Sequence, residues 1–558
     1  MKTLNKCKAY KKIGKLMFVA AFMGLATSCN DQLKEEVFNF YDVNEYFKDT
    51  ENLDMAVNGV YETFSNISTY GQYWMVYDTD TDISHIQGAS IGHVARDLGH
   101  YNAYATHSWL QESWQLYYRG IDRANTILER CGDVTLKGEA ADTIKYKKLV
   151  AQTKCLRAMC YFDLVRLFGD VPFKLNASKD GDDFKLPKTD RNVIYDQIFK
   201  DFEEAIPDLQ WRDAEERINK GAAMGLLARA YMFRGGYSLY GSGLVGEMKR
   251  SDNYKEYYQK AQTVLNELVD SNQHGLLSSY ERVFRNMCEQ VYDPFENICE
   301  IAFFTPTGQP LGASVMGTYN GPSIAQTSIY GRANSFIKTH HFFYDTYESG
   351  DLRRSVAIAT FQISNTDAAT NTTSEIPRSK SYTWAPGKWR RNWHTGAVKD
   401  NNNTDVNVVL LRYSDVLLML AEVENELNNG PTAKAIECVN QVRRRAFGLP
   451  YKTADAVRDL KVTDFADKNA FFDYLFKERA RELCFEGGRR LDLVRWNLLG
   501  KAIMDTKTKF DEAMASKLFG KYSFLAGERY TAGKHELYPI PDYDIRETKG
   551  LIIQNPGY

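Results

Sequence analysis

At 558 residues, with 44% hydrophobic and 25% charged side chains, the chain has the make-up of a large folded protein. Its net charge of -2 excludes the strongly basic surface that a nucleic-acid partner requires. Aromatic residues reach 13%, with 35 tyrosines, which provides flat apolar faces that also carry hydroxyls.

In chain order, the first feature is an export signal. Six lysines by Lys15 precede the apolar run from Leu16 to Thr27, which ends at Ser28-Cys29. That run is too short to span a bilayer as a helix, so residues 1–28 read as a lipoprotein signal peptide cleaved before Cys29. An acyl anchor on the Cys29 sulfur is expected, with residues 29–40 as a polar, partly acidic tether.

The segment from Tyr70 to Arg96 combines rings with polar groups: Tyr70, Tyr73, Trp74 and Tyr77, then Asp78, Asp80, Asp82 and His85. Tyr101-Asn102-Ala103-Tyr104 and Trp109 follow. The alternating aspartates look like the opening of a calcium loop. However, Ile83 stands where that loop needs glycine and Ala89 where it needs a bidentate acid, so a hand-type site is rejected.

Helical periodicity dominates most of the remaining chain. Apolar stripes predict helices over Trp114–Leu128, Val150–Phe168, Asn192–Ile206, Asn219–Phe233, Tyr254–Val269, Tyr413–Leu427, Thr432–Ala446 and Phe471–Phe485. Gly169-Asp170-Val171-Pro172 stops the second of these. Trp114, Tyr117 and Tyr118 lie in the first and are expected to pack in the core. The helices come in pairs, with Ala228 and Ala230 before Ala261 and Ala421 before Ala433 and Ala435, as in tetratricopeptide hairpins.

Between about Cys288 and Asn407 the texture changes to Gly, Asn, Thr and Ser, predicting long loops with short strands, including Asn297–Thr305 and Asn365–Thr373. Of nine cysteines, Cys7 and Cys29 belong to the export and anchoring segment, leaving seven. Cys155, Cys160, Cys438 and Cys484 fall in apolar helical patterns and read as buried thiols, whereas Cys288 and Cys299 flank a turn-like segment in positions open to a disulfide. Trp384, Trp389 and Trp393 beside Arg390 and Arg391 read as structural as readily as binding residues.

Toward the C-terminus, Glu478 to Trp496 sets Glu478, Arg479, Arg481, Glu482 and Glu486 ahead of Arg489, Arg490, Asp492 and Arg495. Such charges three or four residues apart pair along a helix, and carboxylates held by arginines lose the raised pKa of a general acid. An ion-paired structural core is therefore expected, not a catalytic centre. His340-His341 has no HExxH context, and neither a GxSxG elbow nor a GxxxxGK[ST] loop occurs.

Four ordered segments together resemble the SusD/RagB family of outer-membrane nutrient-binding lipoproteins. They are Leu156 to Phe173, Leu410 to Gly448, Glu478 to Trp496, and Tyr538 to Ile545 with Gln554 to Tyr558. The resemblance implies a mainly α-helical body with tetratricopeptide-like hairpins, long loops and a few short strands. Residues 41–285 would form an N-terminal helical region packed into one body with 286–558. It gives Tyr413-Ser414-Asp415 the role of tying a helix start to neighbouring backbone, and it makes the Pro539, Pro541 and Asn555-Pro556-Gly557-Tyr558 tail a packed extended segment.

Loops from the early region and from the middle of the chain form the ligand face in this family. That implies Trp74, Tyr77, Asp80, Asp82, Arg96, Tyr101, Asn102 and Tyr319 here, with Asn320 and Tyr330 beside the last. Function follows as an expectation: capture of an oligosaccharide, without catalysis, metal or cofactor, and its delivery to a SusC-like TonB-dependent outer-membrane transporter. Peptide uptake is the alternative within the same family, and secreted glycan hydrolysis a second alternative.

Overall fold

The computed structural model describes residues 46–72, 78–213, 215–304, 312–367, 370–395, 402–518 and 524–558. Two units divide the chain, Met1–Lys48 and Asp49–Tyr558, and the fold below is that of the second. The signal segment, tether and Cys29 lie outside the described residues.

Five of the long helices start where a short polar side chain satisfies an orphan backbone N–H. Asp49 accepts from Asn52 at 2.8 Å to open α1 (Thr50–Tyr61). A short α2 (Val94–Gly99) precedes α3 (Ser108–Arg130) and α4 (Ala140–Phe168). Asp190 caps α5 (Arg191–Ala205), and Asn219 caps α6 (Lys220–Arg234) through Ala222 N at 2.8 Å. After α7 (Tyr254–Asp270) come α8 (Tyr413–Leu427), α9 (Ala433–Ala446) capped by Thr432, α10 (Lys468–Leu483) capped by Asp467, and α11 (Arg489–Arg495).

Consecutive helices pack against each other: α3 on α4, α4 on α5, α5 on α6, α6 on α7 and α8 on α9, with α7 also lying against α8. Close approach depends on small residues. A methyl group added at Gly225 in α6 would sit 2.2 Å from Leu411 Cδ2, and one at Gly120 in α3 would meet Thr63 Oγ1 at 2.7 Å. Gly169 ends α4 at φ 76°, a left-handed conformation that suits glycine. Among the described residues no helix is long and apolar enough to cross a membrane.

Strands are short and paired in twos. β1 (Ser84–Ile86) runs antiparallel to β3 (Ile337–Thr339), in register Ser84 with Thr339 and Ile86 with Ile337. β2 (Asn297–Ile301) pairs with β6 (Val408–Arg412), and β4 (Phe361–Asp367) with β5 (Thr370–Glu375). The β1–β3 ribbon joins the early loop region to the middle one.

Predicted helices appear within a few residues of their expected ends, except that α3 begins at Ser108, six residues ahead of Trp114, and α4 at Ala140, ten ahead of Val150. The expected strand Asn365–Thr373 falls on two antiparallel strands, the end of β4 and the start of β5, with Asn365 opposite Asn371. Cys288 and Cys299 are separate, buried free thiols and form no disulfide, a correction to that possibility. The C-terminal tail is packed as expected: Asn555 Nδ2 donates to Phe168 O and Tyr538 O, both at 2.8 Å.

Charged side chains occupy the centre of the C-terminal half. Arg412, fully buried, donates to Glu296 and Glu482 at 3.0 Å and to Glu486 at 2.8 Å. Arg445 meets Glu482 at 2.6 Å and Glu296 at 2.9 Å, and Arg353 meets Glu478 at 2.7 Å and Glu482 at 3.1 Å. Burial opposes ionisation of Glu478, yet the Arg353 and Arg481 guanidinium groups overcome it and hold that carboxyl down at about 2. The expected ion-paired core is therefore present. One correction concerns Asp415, which does not bond backbone at the start of α8 but pairs with Arg479 at 2.8 Å and with Arg229 at 2.5 Å.

Candidate functional site

The structure separates the expected ligand residues into three groups. Trp74 and Tyr77, with Tyr73, lie outside the described residues. Asp80 and Tyr101 are buried. Asp82, Arg96, Asn102 and Tyr319 are half-buried.

The alternating aspartates face inward because they hold the Gly487-Gly488-Arg489 turn, about four hundred residues later in the chain. Asp78 accepts the backbone N–H groups of Gly487 at 2.7 Å and Arg489 at 2.6 Å. Burial pushes its carboxyl up to about 7 against those bonds. Asp82 forms a two-bond pair with the Arg489 guanidinium at 2.9 and 2.5 Å. Asp80, 1% exposed, accepts from Ile86 N at 3.2 Å and pairs with His100. It braces the loop to β1 and presents no oxygen to a ligand, which corrects its place on the binding face.

Tyr101 is corrected likewise. Its backbone is left-handed at φ 56°, which folds the ring into the core, where it is 6% exposed. There it meets Tyr530 edge-on at 5.5 Å and Arg490 at 5.7 Å. Asn102 donates from Nδ2 to Asp97 Oδ1 at 2.9 Å and from its backbone to Asp97 O at 2.8 Å, so it secures the end of α2.

Arg96 and Tyr319 converge on a ring that sequence reasoning did not single out. Phe336 directly precedes β3, and Gln87 N donates to its carbonyl at 2.8 Å, extending the β1–β3 pairing by one step. Tyr319 packs edge-on to the Phe336 ring at 4.7 Å, and Ile337 N donates to the Tyr319 carbonyl at 3.0 Å. From α2, Arg96 places its guanidinium 5.8 Å from the same ring while donating to Gln87 O and Ser90 Oγ, both at 2.7 Å. His93, just ahead of α2, completes the group at 5.8 Å. The signal for Phe336 was an aromatic residue in a Gly- and Asn-rich loop, where core packing has little to explain it.

Chemically, this patch offers half-exposed ring faces beside a guanidinium that has five N–H donors and uses two of them in the bonds named. Rings of this kind stack on flat C–H faces, and the remaining donors suit hydroxyls. Beneath it, His85 and His340 stack with Nδ1 atoms 3.3 Å apart, and burial drives His340 down to about 3, leaving it neutral. Both are buried and support the ribbon. Among the described residues, no set of three His, Cys, Asp or Glu groups could hold a metal ion. The other candidates are structural: Trp389 is 0% exposed and Trp384 donates to Ile376 O at 3.0 Å.

Two family profiles match the chain: one described as "SusD family" over residues 302–558, the other as "Starch-binding associating with outer membrane" over 35–232. The chain belongs to the SusD/RagB family. Its relatives include SusD-like protein P2 of Formosa agariphila, 23% identical over 98% of this chain and 99% of that protein. A SusD homolog from Bacteroides thetaiotaomicron VPI-5482 superposes with a TM-score of 0.81 at 28% identity, covering 92% of this chain and 98% of the homolog. Surface glycan-binding protein A from Bacteroides thetaiotaomicron, solved in complex with laminarihexaose, shares the fold with a TM-score of 0.66 at 19% identity, over 91% and 99% of the two chains. The mainly α-helical SusD-like architecture is thus established for this member.

Proposed function

We propose that this SusD/RagB member is a lipid-anchored outer-membrane protein that binds an oligosaccharide and passes it unchanged to a SusC-like TonB-dependent transporter. The observation that carries the binding half is the Tyr319–Phe336–Arg96 patch, which sets ring faces and guanidinium donors side by side at the junction of the early and middle loops. A relative of the same fold was solved with a bound glucan hexasaccharide, which supports the ligand class. The anchoring half rests on the Lys-rich, apolar segment ending at Cys29.

Trp74 and Tyr77 remain part of the proposed face on the strength of the sequence. Affinity would be spread over several modest contacts, which permits release toward a transporter. Calorimetric titration with laminari-, malto- and cello-oligosaccharides tests this. Saturable binding that Tyr319→Ala or Phe336→Ala weakens about tenfold supports the reading, because loss of one stacking ring costs roughly 1–2 kcal/mol. Binding that is absent throughout the panel, or indifferent to both substitutions, overturns it.

A further inference from the structure

A cleft of about 670 Å³ opens between α3, the loop 172–186 that follows α4, and the C-terminal segment around residues 544–552. Its volume lies within the range usual for small-molecule sites, and none of its lining residues belongs to the Arg96–Tyr319–Phe336 patch. We propose that this cleft is a second, independent oligosaccharide site, in which apolar side chains receive the C–H face of a sugar ring and Asp544 receives its hydroxyls.

Two observations point to that ligand. Apolar side chains are left in water at the cleft: Phe184 is 64% exposed and Leu175 is 36% exposed. Lys174 Nζ lies 5.3 Å from the Phe184 ring centroid, and the rest of this apolar surface is open to a ligand that enters the cleft. The second observation is Asp544. Its Oδ2 is shielded from solvent and has no hydrogen-bond partner among the described residues. The residue as a whole is only half-buried and lines the cleft, so a ligand hydroxyl can approach its carboxyl and supply the donor that Oδ2 lacks. Burial raises its pKa, while the Trp114 side chain hydrogen-bonds to the same carboxyl. Trp114 is itself held rigidly, edge-on to Phe168 at 5.0 Å, so the carboxyl is positioned from behind.

The remaining charges favour a neutral ligand that donates hydrogen bonds. Asp122 accepts from Ser178 N at 2.8 Å, and Asp182 accepts from Lys174 Nζ at 3.2 Å and Lys179 N at 2.9 Å, so these carboxylates are engaged. Four aspartates (122, 182, 183 and 544) against two lysines (174 and 179) give the lining a formal charge of -2, which repels an anionic ligand. A neutral polyhydroxylated ring fits both the exposed apolar surface and the unpaired oxygen.

The test is titration of the full chain with neutral α- and β-linked glucose hexasaccharides, and with putrescine as a cationic comparison. A Tyr319→Ala/Phe336→Ala double variant should still bind at least one hexasaccharide. Adding Phe184→Ala or Asp544→Asn should weaken that residual binding about tenfold, the loss typical of one hydrogen bond to a charged group. Phe184 is exposed, so its replacement leaves the fold intact, and thermal melting checks Asp544→Asn. Loss of all glycan binding in the double variant overturns the cleft proposal while leaving the main face standing. Residual binding indifferent to both cleft substitutions, or binding of putrescine alone, also overturns it. Wild-type binding abolished by the cleft substitutions and untouched by the double variant keeps the cleft and removes the main face.

Discussion

Replacing Glu482 by glutamine should cost this protein a large part of its stability. Glu482 is 0% exposed and accepts from Arg445 at 2.6 Å, Arg412 at 3.0 Å and Arg353 at 3.1 Å. The connected group contains Arg353, Arg412, Arg445, Arg481 and Lys388 against Asp351, Glu296, Glu478, Glu482 and Glu486, five charges of each sign. Glutamine keeps the volume, removes one negative charge, and turns an amide N–H toward guanidinium donors. Breaking a buried pair in this way costs about 3–5 kcal/mol, because the orphaned cation has no water to turn to.

Urea unfolding followed by tryptophan fluorescence at neutral pH measures the effect as a lower midpoint at unchanged slope. Lys501→Gln is the comparison. That lysine is 69% exposed and pairs with Asp505 one helical turn away, so its loss should change stability by less than about 0.5 kcal/mol. A Glu482→Gln loss below about 1 kcal/mol would refute the view that the arginine–glutamate cluster is a balanced structural core.

Gly225→Ala should destabilise by about 1–3 kcal/mol, because the added methyl overlaps Leu411 Cδ2 at 2.2 Å; an unchanged melting temperature would show that β6 can yield. Asp78, its carboxyl pushed up to about 7 by burial, keeps a proton in the folded state that the unfolded chain has already released. The stability it contributes is present at low pH and falls as pH rises from the ordinary carboxylate range through about 7. Asp78→Asn should flatten the fall in melting temperature between about pH 5 and 7, leaving the similar contribution of Glu300, also raised to about 7 by burial. Cys29→Ser should move the protein from the detergent-extracted membrane fraction into the soluble one and abolish labelling by a fatty-acid probe.

Helices were legible because three-to-four-residue apolar spacing survives in any context, and α8 runs over Tyr413–Leu427 as its pattern dictates. The ion-paired core was legible as a type, since arginines and carboxylates crowd one segment. Its partners were not, because Glu296 in a turn ahead of β2 and Arg353 in the short helix Arg353–Ala357 lie more than a hundred residues away in sequence. The proposed binding face was the least legible part. Asp78, Asp80 and Asp82 look like ligand oxygens in sequence, yet backbone N–H groups, His100 and Arg489 claim them. Nothing local marks a left-handed Tyr101 that carries its ring inward, whereas Tyr319 and Arg96 stood out in the sequence and Phe336, the ring they both contact, did not.

Equilibrium dialysis of the purified full-length chain against a labelled oligosaccharide, followed by sizing of the recovered sugar, tests the central claim most directly. Saturable retention with the oligosaccharide recovered at its original length is the result expected of a carrier. No retention of any oligosaccharide, or recovery of shortened fragments, would contradict it.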